Sequence, residues 1–520
     1  MQNAKCKTKS VSFFLRSFFV YQLQREWSKL RRLRNKGDII VSVLVFAAIA
    51  VVVIIGLVNW GATMLRSIRT VVAREQAFQI AEAGADYYQW HLAQAPNDYT
   101  DSTGGPGPYV HEFYDKDGNL LGNYSLTITP PIVGSTLVKV VSVGTLASST
   151  VTRTIEKTMA IPSLAKYAVV VNDNIRFGEG TEVFGPIQAN GGIRFDGVAH
   201  NLISSAKATY IDPDNNSSQF GVYTTSGTDD PHPPSAVPNR PDVFMAGRQF
   251  PVPAADFVGL TAGLTKLQEL AQPAVGGKEW LASGAEGYHI VFKVTNGVTS
   301  YDMYKVITLQ TPPGNGKNKC GSDNTAESQT QWGTWSIKSP ISSNQTSLGN
   351  FSIPSNGVIF VNDDVWVDGT IKNARVTVVA GIIGNTDPAK NSNITINDNL
   401  IYSDYDGTSS IGLIAQGNIN AGMMSANNLR IDGALVAEKG RVGRFYYSDE
   451  CTIGSTNYSL RNSITLNGMI ATYIRYGFAY TDNTGYDIRN IYYDANFLYG
   501  PPPSFPQATN QYQVISWREL

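Results

Sequence analysis

From Ile39 to Val58 the chain reads IIVSVLVFAAIAVVVIIGLV, with no charged residue. At 1.5 Å per residue a helix of this length crosses the ~30 Å apolar core of a bilayer, so the run predicts one transmembrane helix. A cleaved secretory signal is the rival reading, but its apolar region is typically only 7–15 residues and ends at a small-residue site, which this run lacks. From Trp60 to Leu92 there is no proline, and apolar residues fall at Leu65, Ile68, Val72, Phe78, Ala81, Ala85, Tyr88 and Leu92. Spacings of three and four extend the same helix as an amphipathic one, which Pro96 ends. Its outer half is expected to pack on its own domain and its inner half on lipid or like helices; a plain anchor with a stalk would carry the same pattern. Phe13 to Leu23 is apolar too, but Arg16 interrupts it and it is too short to span, which suits a segment lying on the membrane surface.

The period then changes. Tyr109–Tyr114, Asn123–Thr129, Leu137–Gly144 and Val151–Ile161 alternate, with Asp117-Gly118 between the first two, and predict a small antiparallel sheet. Asp115-Lys116-Asp117-Gly118-Asn119 resembles the start of a calcium loop, but Leu120 and Leu126 stand where such a loop needs Gly and Glu, so a hairpin turn is the better reading. Asp404-Tyr405-Asp406-Gly407 fails the same test.

Beyond Ile161 a loose repeat, apolar-Asp/Asn-Gly-x-apolar, occurs at Phe195–Ala199, Val367–Ile371, Ile431–Leu435 and Leu466–Ile470. Short apolar runs such as Val358–Val361, Val376–Val379, Ile394–Ile396 and Ile411–Ile414 are each followed within three residues by Gly, Asn or Asp, residues that tolerate positive φ. The pattern predicts an irregular right-handed parallel β-helix whose Asp/Asn-Gly turns face solvent, with a β-sandwich as the alternative. Eight of the 25 prolines fall in residues 211–253, read as an ordered loop or linker, and Ala254–Ala271 reads as a helix covering one face. The chain therefore divides into a basic leader (1–37), the long helix (38–95), the small sheet (96–161), first rungs (162–210), a Pro-rich linker with helical insert (211–335), the main β-helical region (336–500) and a Pro-rich tail (501–520). The solenoid is expected to fold without the sheet, each turn being stabilised by its neighbours.

Charge orients this plan. Ten Lys/Arg and one Glu lie in residues 1–37, leaving 31 basic against 41 acidic groups beyond them. Lys29 to Lys36 borders the apolar run, whereas only Arg66, Arg69 and Arg74 follow it closely, so the leader is placed in the cytoplasm and the body outside. A net charge of −1 argues against a nucleic-acid binder. With Cys6 inside, Cys320 and Cys451 form an outer pair that either makes one disulfide or stays reduced and buried. His91, His111, His200, His232 and His289 show no metal-ligand spacing, and no nucleophile elbow, P-loop or dinucleotide fingerprint is present, so no metal, cofactor or catalytic residue is assigned. Asp363, Asp364 and Asp368 are the one carboxylate cluster that a polysaccharide-cleaving β-helix could use, though an Asn-Asp-Asp turn caps strands equally well. Aromatics gather late, among them Tyr446, Tyr447, Tyr492 and Tyr493, either as a carbohydrate or protein contact surface or as stacking that closes the solenoid.

Arg34-Asn35-Lys36-Gly37, the apolar run, and Arg74-Glu75-Gln76-Ala77-Phe78-Gln79-Ile80-Ala81-Glu82-Ala83-Gly84-Ala85 together resemble the N-terminus of PilX-type minor pilins. The resemblance implies that a prepilin peptidase cuts between Gly37 and Asp38 and that the helix meets other pilin-like subunits. Such pilins usually carry Glu at the position of Ser42; its absence removes an assembly contact and is similar to filament-tip subunits with bulky extra domains. GPIQANGGIRFDG (Gly185–Gly197), FMAGRQFPVPAADF (Phe244–Phe257), GLIAQGNI (Gly412–Ile419) and PPPSFPQATNQYQVISWRE (Pro501–Glu519) resemble large extracytoplasmic proteins with the same start and a domain of unknown function. The expectation is a non-enzymatic minor pilin or pilus-tip-like component in adhesion or filament initiation, single-pass with its N-terminus inside. A permanently anchored adhesin or scaffold is the first alternative and a polysaccharide-active enzyme the second.

Overall fold

The computed structural model describes residues 38–520 except 164, 258–262, 311–335, 448–450, 506 and 508. A single helix, α1, runs unbroken over 57 residues from Asp38 to Gln94, a length of about 85 Å at 1.5 Å per residue. Its second half buries Ala73, Ala77, Ile80, Ala81, Ala85, Tyr88 and Leu92, the three- and four-residue spacing of one helix face. This stripe lies on four antiparallel strands, β1 (Tyr109–Tyr114), β2 (Leu120–Thr129), β3 (Val138–Leu146) and β4 (Thr152–Ala160). Small residues set the separation. A Cβ on Gly144 would stand 2.2 Å from Ala77 O and 2.4 Å from Ala81 N, so helix backbone and sheet touch there directly.

A fifth strand completes the sheet and comes from the other end of the chain. Gln513–Glu519 pairs antiparallel with β4, where Arg518 Nε donates to Glu156 Oε1 at 2.8 Å, Arg153 pairs with Glu519, and Trp517 meets Phe78 edge-on at 6.0 Å. Part of the stretch expected as a tail is thus a strand of the sheet, so the chain beyond residue 161 contributes one strand to it. Every residue of this strand but Ile515 is exposed and its last two, Arg518 and Glu519, are charged, so it makes a short, charged edge without apolar alternation, which is why it reads weakly in sequence.

Beyond Ala160 the strands stack in parallel ladders. One ladder runs through Lys278–Trp280, Val358–Val361, Arg375–Ala380 and Ser410–Ala415, then the ends of Asn428–Ala437 and Leu460–Thr472, and on to Val169–Val171, Ile187–Ala189, Ile203–Ser205 and Arg248–Gln249. A second runs through Gly287–Thr295, Val365–Ile371, Ile394–Tyr402, the starts of Asn428–Ala437 and Leu460–Thr472, Gly485–Tyr493, Thr181–Phe184 and Val198–Ala199. Shorter parallel sets, Ile394–Ile396 with Ile419–Ala421 and Val442–Gly443, and Ile175–Phe177 with Ile193–Phe195 and Val222–Tyr223, form further sides. Apolar side chains from all of them share one core, including Phe177, Phe195, Ile290, Val367, Leu413, Leu435 and Ile470.

Spatial order and chain order differ. Ile470–Thr472 pairs in register with Val169–Val171, so the last strand of the first ladder lies beside its earliest one, in the middle of the stack. The chain enters there, runs to one end at Gln249, crosses to the opposite end at Lys278, and returns to the middle. The crossover covers the outer face of the first ladder, where Phe257 and Leu267 pack with Phe360, Val379, Ile414 and Val436. The predicted 254–271 helix is described only over Leu264–Leu270, and Lys278–Trp280, Gly287–Thr295 and Val298–Val306 are ladder or hairpin strands inside a segment read as linker and insert. Their apolar residues are interleaved with Lys, Thr and Tyr, which hid the alternation. Pro-rich 224–248 is ordered by buried Asp230, which pairs with Arg240 at 3.4 Å and Arg248 at 2.5 Å.

The Asp/Asn-Gly repeat marks close approach inside the ladders, not solvent-facing turns. Asp432 is fully buried and accepts from Tyr402 N at 2.8 Å and Tyr405 Oη at 2.6 Å. Gly433 and Gly468 sit side by side at φ +155° and +154°, and a Cβ on Gly468 would fall 1.9 Å from Gly433 O. Gly468→Ala is expected to cost roughly 3 kcal/mol, from strain plus a backbone clash. Gly247→Ala, at φ +85° but with open space around its Cβ, is expected to cost about 1 kcal/mol. Urea unfolding of both variants checks this; equal losses contradict the close-approach account.

Candidate functional site

Three features can carry a function: the exposed half of α1, the joint between sheet and ladders, and the outer ladder faces. From Ile39 to Val72 every helix residue except Gly61 is exposed, including Ile40, Phe46, Val52, Ile54 and Trp60. Within this stretch lies an apolar run with the length and composition to cross a membrane. Asp38 begins the helix and Ser42 lies in its exposed part, while Gly37 and the basic leader lie outside the described residues. In the packed half of the helix, Asp86 Oδ1 accepts from buried Lys157 Nζ of β4 at 2.6 Å.

The joint is closed by hydrogen bonds to and from the C-terminal segment. Ser163 N and Oγ donate to Leu498 O at 2.9 Å and Phe497 O at 2.6 Å, Thr136 N donates to Tyr499 O at 3.2 Å, and Tyr493 Oη donates to Ala165 O at 2.7 Å. A groove of about 600 Å³ opens beside it, lined by Ile132, Val133, Val298, Ile353, Lys372 and Arg375. Both cations are engaged, Lys372 by Asp404 at 3.0 Å and Arg375 by the carbonyls of Gly407, Gly500 and Pro501.

The carboxylates do not converge. Asp363 Oδ2 accepts from Ser283 N at 2.7 Å, and Asp364 Oδ1 accepts from Asn393 N at 2.7 Å. Burial pushes Asp364 up to about 7, against the pull of the Asn393 bond. Asp368 instead joins His289 Nε2 at 2.9 Å and Asn397 Nδ2 at 3.1 Å, and His289 Nδ1 meets Gln345 Oε1 at 2.8 Å. The other histidines are also held locally: His91 with Asp98, His111 with Asp101, His200 with Glu182, and His232 on Ser218 O. Among the described residues no group of three or more His, Cys, Asp or Glu could hold a metal ion.

The four tyrosines separate. Tyr447 is buried with Met423, Phe445 and Cys451 under the Arg444 guanidinium, and Tyr493 is half-buried against the core with its Oη turned to Ala165 O, so neither stands free on the surface. Tyr446 is half-buried, edge-on to Tyr480 at 5.2 Å. Tyr492 is exposed and stacks on Phe184 at 4.6 Å, which stacks on His200 at 3.9 Å, both at 12°. This column needs Tyr492 and Phe184 in register across the chain junction, a pairing with no signal in local sequence. Equally unread was a pair of buried arginines, Arg444 and Arg461, whose guanidiniums share Met423 O at 3.1 and 3.0 Å. Cys451 is disulfide-bonded; Cys320 lies outside the described residues.

No protein-family model and no curated protein matches the chain. Among solved structures it is similar to the competence-associated pilin ComZ from Thermus thermophilus, over 86% of this chain and 98% of that one, at 13% identity and a TM-score of 0.30. A likeness of that size carries no inference about fold or role.

Two predictions follow from buried groups. Burial pushes the Glu438 carboxyl up to about 8, with Lys439 opposing, so the fold holds a proton that the unfolded chain releases near pH 4. Its contribution is therefore full below that range and is lost as pH rises to the folded value. Glu438→Gln should flatten the fall in urea stability between pH 5 and pH 8 and exceed wild type at pH 8 by at least about 1 kcal/mol; an unchanged slope contradicts it. If Cys320 is the partner of Cys451, Cys320→Ser and Cys451→Ser should each abolish the mobility difference between reduced and non-reduced protein on a gel. A difference that survives Cys320→Ser rules that pairing out.

Proposed function

We propose that the chain is a pilin-like, membrane-anchored surface subunit of the PilX-type minor-pilin kind, whose ladders wind as a right-handed parallel β-helix outside the cytoplasmic membrane. The observation that carries this reading is α1 itself, one unbroken helix with an apolar half exposed on every side and an amphipathic half packed on its own sheet. A mere anchor does not require helical continuity from bilayer to domain core. A subunit that must hold its domain at a fixed distance and orientation from neighbouring helices does. Parallel ladders on several sides around one apolar core support the β-helix. The excess of positive charge before the span supports an N-terminus inside.

On this reading a prepilin peptidase cuts after Gly37, α1 meets other pilin-like subunits, and the exposed face around Tyr492 meets a carbohydrate or protein ligand. Ser42 favours the second reading, a permanently anchored adhesin or scaffold, because a hydroxyl there makes no charged pair with a neighbouring N-terminus. The chain acts by binding and assembly and not by catalysis: Asp363 and Asp364 hold turn backbone, which leaves a polysaccharide-active site only Asp368 and its histidine.

Intact-mass analysis of membrane-extracted protein should give a chain that starts at Asp38, and Gly37→Leu should give the full-length chain and remove it from sheared filament fractions. Equal amounts of mutant and wild type in those fractions would sink the pilin reading and leave the anchored adhesin.

A further inference from the structure

Beyond the second ladder a hairpin leads to a strand that pairs on one side only among the described residues. Gly287–Thr295 pairs parallel with Val365–Ile371 on one side and antiparallel with Val298–Val306 on the other, and Val298–Val306 in turn pairs with Gln345–Ser352. Among the described residues Gln345–Ser352 has no second partner strand, and Thr346 to Asn350 are all exposed. The strand is nevertheless held firmly. Gln345 is bonded to buried His289, Asn350 Nδ2 donates to Asp302 Oδ1 at 2.8 Å, and Phe351 packs edge-on against Trp280 at 5.1 Å.

Free edges invite a further strand, and folded proteins blunt them with charge, proline, bulges or short length. Other outermost strands carry charge, Glu112 in β1, Lys278 and Glu279 in Lys278–Trp280, Arg248 in Arg248–Gln249, and Arg518 and Glu519 in the C-terminal strand, while the uncharged edges Val198–Ala199 and Val222–Tyr223 are only two residues long. Gln345-Thr-Ser-Leu-Gly-Asn-Phe-Ser352 has no charged residue and no proline. Its one irregularity is the bulge at Leu348, which leaves that side chain 39% exposed at the middle of the strand.

We infer that this edge is an interaction surface for a second copy of the chain, the two Gln345–Ser352 strands pairing antiparallel across a twofold axis. Self-pairing satisfies the outward main-chain groups of both strands, brings no like charges together, and places the two Leu348 side chains near the axis. An eight-residue strand, about 27 Å long, makes a small interface, which suits molecules that a membrane anchor already concentrates. The inference does not depend on prepilin processing or entry into a filament.

The test is the mass of the full chain in detergent over a range of concentrations, for wild type and for Thr346→Lys/Leu348→Lys. The wild type should dimerise, and the double variant, with four ammonium groups facing each other, should need at least about tenfold more protein to do so. A wild type that stays monomeric overturns the proposal, as does a double variant that dimerises like wild type, which would place the contact on α1. Hydrogen exchange of the wild type covers the case of a misfolded variant: amides of Gln345–Ser352 should gain protection with concentration, and their indifference to it also overturns the pairing.

Discussion

The pairing of Ile470–Thr472 with Val169–Val171 is the contact on which the body depends. On one side of it lie the strands from Thr181 to Gln249, and on the other those from Lys278 to Ala437. Without it each half would present an open edge of fully buried valine, isoleucine and alanine to water. The chain has to travel the whole stack before this contact can form, which makes it a strongly non-local contact and one of the slow kind to establish. Register is enforced by packing, since a slip of one residue would turn Val169 and Val171 out of the core.

The same closure positions everything the protein shows to its surroundings. Because the last ladder strands finish in the middle of the stack, the segment after Tyr493 emerges beside Ile161, bonds Ser163 and Thr136, and delivers Gln513–Glu519 to β4. Sheet, ladders and helix are thereby one mechanical unit. Small residues on both sides of the helix–sheet contact, Ala77, Ala81 and Gly144, bring α1 close enough for its axis to be set by the sheet. The orientation of the apolar half follows from that of the body, which is the property a subunit ordered among like helices requires.

What was legible in the sequence was what local pattern determines. A charge-free run, a three-and-four spacing and Pro96 were enough for α1, and Asp117-Gly118 for the first hairpin, where Asp115 takes the N–H groups of Asp117 and Asn119. Ladder strands near Val358, Val376 and Ile411 read clearly because both of their faces are buried. Strands at Lys278, Gly287 and Val298 did not, since their side chains meet solvent or polar partners on one face. Spatial order was hidden altogether, because no residue at Val169 announces that it will meet Ile470. Tyr447 and Tyr493 misled for a related reason: composition shows aromatic abundance but not which way each ring points. The Asp-Gly repeat was seen but misassigned, since the same two residues suit a tight turn and a place where two backbones touch.

Hydrogen exchange followed by mass spectrometry on the full chain in detergent tests the closure most directly. Peptides spanning Ala165–Ala189 and Ile464–Tyr493 should exchange together and as slowly as those from Val358–Ala415, because the junction opens only when the stack does. Exchange of the two junction peptides at loop rates, with Val358–Ala415 still protected, would contradict it and leave two separate stacks instead of one.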